Sequence, residues 1–218
     1  SGIFGISLNN SRIFNNTIYR FKEGIAVYNS ENTTITNNTI YNNTLYGINI
    51  TSSKNITIKT NIIYNNSRQG ILILRSNNIT AADNLIFNNS LGGISSNFSN
   101  YTLIYGNTIK NNVFDEIALF GSNSSKIFNN TLAPNRNAIY IEDTEGSSIF
   151  DSIIKNASMF GIYISESMNI TISNNEINNN SDSGIFIYKS TNSTISNNRI
   201  FNNTLSGIKL NSTNYTLI

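Results

Sequence analysis

The chain has no cysteine and no histidine. Without Cys there is no disulfide and no thiol nucleophile, and the redox state of its compartment leaves no mark. Without His, the usual soft metal sites and every imidazole acid/base arrangement are excluded as well. Charge is scarce. The 14 basic and 12 acidic residues make up 12% of 218 residues, giving a net charge of +2 and a pI near 8.8. They form no basic stripe, so nucleic acid is not an expected partner. The longest apolar runs resemble Ile71-Leu72-Ile73-Leu74, which leaves no membrane span or signal peptide in this stretch.

What is abundant is Asn, roughly a fifth of the residues, and a repeat of 23. Gly24, Gly47, Gly70 and Gly93 each open a Gly-Ile step, and the spacing returns at Gly161, Gly184 and Gly207. Glu116 and Ala138 hold the equivalent place between them, with one residue deleted. A period of this length marks a solenoid, in which a small unit stacks on itself because it cannot bury its apolar face alone. Apolar residues in register also separate the chain from a disordered, Asn-rich tract.

The unit Gly47–Gln69 contains three short segments that alternate apolar and polar residues, around Ile48-Asn49-Ile50, Ile56-Thr57-Ile58 and Ile63. Period-two alternation of β-branched residues predicts strands, with Ser, Asn and Lys in the turns between them. No apolar pattern at helical spacing persists, so helices are not expected. Stacked units give four inward columns, represented by Ile48, Ile50, Ile58 and Ile63. Like residues at the β spacing of about 4.8 Å fill a narrow core. Each contributes on the order of 1.5–3 kcal/mol, heavily offset by ordering entropy.

Asn16, Asn38, Asn61, Asn84, Asn107, Asn130, Asn175 and Asn198 share one turn position, with Ser152 as the exception. Such residues can form an amide ladder along a corner. Just before them stand Asn, Asp or Gly, as at Asn37, Asp83 and Gly106, types that tolerate left-handed backbone. The recurring elements Gly161-Ile162-Tyr163-Ile164 and Asn175-Glu176-Ile177-Asn178-Asn179-Asn180 resemble the right-handed parallel β-helix repeats of the pectin-lyase-like and NosD-like solenoids. The resemblance runs through nearly all of the chain. It implies an all-β, single-stranded right-handed β-helix, one continuous domain over 1–218, of about nine to ten coils of 22–23 residues and roughly 45 Å length. It implies little about function, because that fold hosts lyases, hydrolases, epimerases, tail spikes and surface proteins.

Three features could carry chemistry on the outside. About 21 Asn-x-Ser/Thr triplets occur. They recur at two turn positions, Asn32, Asn55, Asn78, Asn169 and Asn192 in one corner and Asn42, Asn65, Asn88, Asn156, Asn179 and Asn202 in another. These are glycosylation candidates, although an Asn-rich turn with Ser/Thr neighbours also generates them automatically. Coils about 4.8 Å apart leave no room for a glycan on every one, so occupancy is expected to be partial. Second, the acidic residues are densest at Glu142, Asp143, Glu145 and Asp151, with Asp115 and Glu116 one coil earlier. Asp143, Glu166 and Lys189 fall in one column, an arrangement open to acid/base chemistry, to calcium, or to simple charge balance. Third, Tyr41, Tyr64, Phe87 and Phe201 share an outward position, either to stack on sugar rings or to cover the solenoid's flank.

No coil carries the long insertions that wall a substrate cleft in lyase-like relatives. The expectation is therefore a non-enzymatic structural segment of an exported, N-glycosylated cell-surface or extracellular filament protein. The chain begins at Ser1 and ends inside a repeat, as expected of a piece of a longer protein, and self-association end to end or along the rod is open to it. The alternative is a carbohydrate-binding or polysaccharide-processing module with Asp143 and Glu166 as first suspects. Copper maturation, as in NosD-like relatives, has only Met159 and Met168 as soft ligands to support it.

Overall fold

The computed structural model describes all 218 residues as a parallel β-solenoid without a helix. Each coil contributes one strand to each of three parallel sheets. The first sheet has ten strands, from Ile3–Ile6 through Ile25–Tyr28 and Ile48–Thr51 to Ile208–Asn211. The second and third have nine each, represented in one coil by Thr34–Thr36 and Thr39–Tyr41. Coils are numbered by their first-sheet strand, so that coil 2 begins at Ile25 and coil 7 at Ile139. Neighbouring coils pair in register, Ile25 with Ile48 and Ile48 with Ile71, so each strand satisfies its backbone with the coils on either side.

The expected columns form the interior. Ile25, Ile50, Ile58 and Ile63 lie fully buried in a single apolar cluster with their equivalents in the inner coils, Ser96 excepted, while Ile200, Ile208 and Leu210 at the end are partly exposed. A fifth column, containing Ile56, Ile79 and Ile170, also faces inward beside Thr33, Thr102 and Ser125. It escapes notice in the sequence because its members alternate between apolar and hydroxyl types. The left-handed corners are present too: Asn37, Asp83 and Asn129 have φ of 56°, 53° and 52°. Thr60 occupies the same corner at φ 55°, where a β-branched side chain is strained.

The predicted Asn ladder runs along the corner between the second and third sheets. Its amides are buried in the corner, not displayed on its outside. Asn61 donates from its backbone N–H and its Nδ2 to Asn84 Oδ1, at 2.9 and 3.0 Å, and from Nδ2 to the carbonyl of Ile35 at 2.9 Å. Two further ladders follow the other corners. Between the first and second sheets, the N–H of Ser30 donates to Ser53 Oγ and that of Ser53 to Ser76 Oγ, each at 3.0 Å. Between the third and first, Asn43, Asn66, Asn89 and Asn112 repeat the amide pattern. A buried polar ladder therefore lines every corner, supplying partners where the turn interrupts the strand ladder.

Candidate functional site

Apart from a 22-residue step between the first two coils, Ile3 with Ile25, the regular pattern breaks inside the stack in coils 5 to 7. The turn closing coil 6 is one residue short, and Pro134 stands where Asn111-Asn112 stood one coil earlier. Pairing accordingly shifts from 23 residues, Lys110 with Ala133, to 22, Ile117 with Ile139. Asn112 therefore has no Asn beyond it. The acceptor is supplied by Glu116, from the column that holds glycine in every other coil but that of Ala138: its carboxyl accepts from the backbone N–H of Asn112 at 3.3 Å and also from Asn112 Nδ2. A Cβ at the equivalent Gly93 would lie 2.4 Å from Ile109 Cγ2, which shows how crowded that column is. Glu116 is fully buried, and burial pushes its carboxyl up to about 8.

Other departures gather in the same place. Ser96 replaces an aliphatic residue in the core and meets Thr102 Oγ1 at 3.1 Å. Ser152 interrupts the Asn ladder, and Ala157 interrupts the third-to-first one. Phe98 and Tyr101 take left-handed corners at φ 52° and 57°, and the left-handed glycines, Gly106, Gly121 and Gly146, all belong to these coils. A cavity of about 210 Å³ opens beside the fault, on the outer face of the first sheet. Small residues create it: Gly92 removes a side chain from the rim, and Ser95 and Ala118 lower the floor. Gly92 cannot be enlarged, because a Cβ there would lie 2.7 Å from the carbonyl oxygen of Asp115.

Asp115 and Arg136 are the charged groups of this cavity. Asp115 Oδ1 accepts from Asn137 Nδ2 at 2.8 Å, and Oδ2 lies 3.7 Å from Arg136 NH1. Burial raises the Asp115 carboxyl above the usual carboxylate range, with Arg136 and Asn137 opposing the shift. Arg136 also lies over the Phe114 ring, 5.6 Å from its centroid. Farther along the same face Tyr140 donates to Glu142 Oε2 at 2.8 Å, and Phe160, Tyr163 and Phe186 form an aromatic cluster. Burial and this bond hold the Tyr140 phenol well above its ordinary range. Asp115 and Glu116 were legible only as nearby acids. What could have singled them out is the simultaneous loss of Gly at 116 and of the Asn pair at 134.

Asp143, Glu166 and Lys189 do come together in one column, at left-handed corner positions with φ of 49°, 47° and 46°. Lys189 Nζ stands 3.7 Å from Glu166 Oε1, with both side chains more than half exposed. Asp143 and Glu166 border a shallow depression of about 160 Å³ with Asn123, Glu145 and Met168. Such an exposed pair is worth roughly 0–1 kcal/mol. No three His, Cys, Asp or Glu side chains gather as a metal-binding group, and Met159 and Met168 stand at different corners.

All eleven sequon Asn residues in the two recurring corners have positive φ, from Asn32 at 51° to Asn156 at 63°. The left-handed backbone explains why Asn recurs there. Corner amides on the first-to-second side bond to one another, Asn55 Nδ2 to Asn32 Oδ1 at 3.1 Å and Asn78 Nδ2 to Asn55 Oδ1 at 2.7 Å. The outward aromatics are likewise covered, Phe201 by the Arg199 guanidinium 4.4 Å from its centroid and the others by each other. Tyr19, Tyr41, Tyr64 and Phe87 stack with centroids 5.1, 4.9 and 4.9 Å apart. Their faces are covered by neighbouring rings, so a sugar would meet their edges.

Three parallel sheets wound into one continuous stack of coils define a β-helix. The family model for the right-handed β-helix region matches residues 1–135 and 116–218, and the chain belongs to that family. No curated protein matches it in sequence. Among solved structures, the A-module of an Azotobacter vinelandii mannuronan C-5 epimerase is similar at TM-score 0.74 and 15% identity, covering 90% of this chain and 62% of that one. A periplasmic alginate epimerase gives 0.71 and 18%, covering 94% and 51%. Tailspike protein 2 of an Escherichia coli O157:H7 bacteriophage gives 0.79 and 13%, covering 92% and 34%. The chain thus spans about a third to three fifths of these proteins' length. At such identities the likeness is one of fold.

Proposed function

We propose that this chain is a non-enzymatic, rod-like segment of an exported cell-surface or extracellular protein, and that its interrupted coils form a carbohydrate-binding site. The observation that carries this reading is the clustering of departures: core, ladder and corner rules all fail on the coils that border the 210 Å³ cavity. Departures from a repeat's own rules that gather beside a cavity are what a functional site is expected to leave in the pattern. The mannuronan and alginate epimerases among the similar structures agree with a sugar ligand, and the periplasmic one with export. Binding is favoured over turnover because Glu116 is sealed inside and Asp115 is held by Asn137 and Arg136. That leaves no second free acid/base group at the cavity.

Affinity electrophoresis in gels containing soluble polysaccharides, paired with a reducing-end assay, tests this. Retardation without new reducing ends is expected. New reducing ends would replace the binding site by an enzyme, and Asp143→Ala and Glu166→Ala would then show whether that column carries it. Glycan on the exposed Asn corners is part of the same reading. An intact-mass measurement on natively isolated protein, showing no mass beyond the sequence, would remove it.

A further inference from the structure

Away from the cavity, one cluster of reactive side chains has no part in the proposed sugar site. Tyr19, Tyr41 and Tyr64 hold the last position of successive third-sheet strands in coils 1, 2 and 3, and they pair in register. Their ring centroids lie 5.1 and 4.9 Å apart, at interplanar angles of 11° and 4°. The other stacked pairs each include a phenylalanine, Tyr64 with Phe87 among them, so only in this ladder does phenol lie flat on phenol. Tyr19 is 43% exposed, which opens the ladder to solvent at its first ring. The chain has no Trp and no Cys to compete for a one-electron oxidation. Its two methionines, Met159 and Met168, stand in coils 7 and 8 and are oxidised by oxygen transfer instead.

We propose that this ladder is a site of oxidative phenol coupling, which staples coils 1, 2 and 3 covalently. A peroxidase with hydrogen peroxide removes one electron and the O–H proton from each of two rings. The two phenoxyl radicals then form one C–C bond between ring carbons ortho to the oxygens. The hydrogens on those carbons move to the oxygens and restore both phenols. The linked pair has lost two hydrogens in all, and the peroxide has been reduced to two waters. Tyr19 is the point of entry, and close stacking passes the electron vacancy on to Tyr41 and Tyr64. Phe87 ends the ladder because it has no O–H to lose. In-register stacking holds the reacting rings side by side, so coupling needs no encounter between molecules. The bond joins strands that are otherwise held by backbone hydrogen bonds. It closes loops between residues 22 and 23 positions apart, which restricts the unfolded chain.

The test treats the purified whole chain, kept dilute, with peroxidase and hydrogen peroxide and maps the cross-linked peptides by mass spectrometry. The folded monomer should lose two hydrogens per bond and yield Tyr19–Tyr41 or Tyr41–Tyr64 as its main linkage. The linked chain should also unfold at a higher denaturant concentration than the untreated one. Tyr41→Phe keeps a ring in the stack, as Phe87 does, but leaves no two phenols adjacent in the ladder. It should lower intrachain dityrosine about 10-fold or more, the loss expected when positioned partners are removed. Tyr64→Phe should spare the Tyr19–Tyr41 bond. In urea the preference should vanish, with linkages spread over the 11 tyrosines. A folded chain that forms no dityrosine, or that links the exposed Tyr101 or Tyr215 and not the ladder, would overturn the proposal. So would an unchanged yield in Tyr41→Phe, or a linked chain that unfolds at the same denaturant concentration. Circular dichroism confirms folding of the variants, and the linkage map of the unsubstituted chain is decisive without them.

Discussion

Coils 2 to 4 and coils 5 to 7 are built from the same strands on the same three sheets, yet they solve their corners differently. In the first group, Asn61 and Asn84 join the ladders without a gap and the core is aliphatic apart from Thr33. In the second, a proline, a buried glutamate, an inward serine and bulky left-handed residues share about three coils. The regular coils show how a solenoid of thin core is held: each buried amide serves the coil before it and the coil after it. The interrupted coils show what happens when one rung is missing. A carboxyl group moves into the glycine column to receive the stranded donors of Asn112, and nearby small residues leave a cavity.

The difference can be broken most severely at the regular end. Asn61→Ala should strand the donors of Asn38, open a void and cost about 4 kcal/mol, since each buried group left unpaired costs about 1–3 kcal/mol. Denaturant unfolding measures this, and a loss under about 1 kcal/mol would mean that the ladder is incidental. The next largest effect belongs to the fault and depends on pH. Glu116 has a folded-state value raised from 4.5 to about 8, so the folded chain holds this proton more tightly than the unfolded one. Its contribution is complete below about pH 4.5 and is lost as pH rises toward 8, by up to a few kcal/mol. The melting temperature should fall over that window, and Glu116→Gln should flatten the fall. An equal slope in the variant would assign the pH dependence elsewhere.

Smaller effects sharpen the contrast. Ser152→Asn restores the missing amide between Asn130 and Asn175 and should raise stability by about 1 kcal/mol, seen as slower amide exchange in coils 6 to 8. Thr60→Asn keeps a corner hydrogen-bonding side chain while removing the β-branch from a left-handed residue, for a gain of about 0.5–1 kcal/mol. An unchanged melting temperature would show that the corner bears no strain at Thr60.

Much of this fold was legible. The Gly-Ile steps, the Ile columns and the Asn position before Ile63 and Ile86 all follow from a fixed period, because stacked coils turn sequence spacing into spatial coincidence. The fifth column was not legible, since Thr33, Ile56 and Ser125 look unrelated until the corner brings them together. The Ser and second Asn ladders were missed for a similar reason: Ser53 and Asn66 read as ordinary turn residues, and their burial depends on how the corner folds inward. Of the candidate site, the Asp143 column was predicted and is present as an exposed charge row. The fault was visible only as a one-residue deletion.

The sequence by itself determined that one unit repeats, that its strands pair in parallel register, and which aliphatic side chains form the wall, because period and alternation are local properties that stacking merely copies. The tertiary structure alone decided which polar residues are buried, that aromatic faces are spent on each other, and that Glu116 replaces a lost amide beside a cavity. Those outcomes depend on which atoms a neighbouring coil leaves unpaired, and a linear pattern does not record what its neighbour lacks.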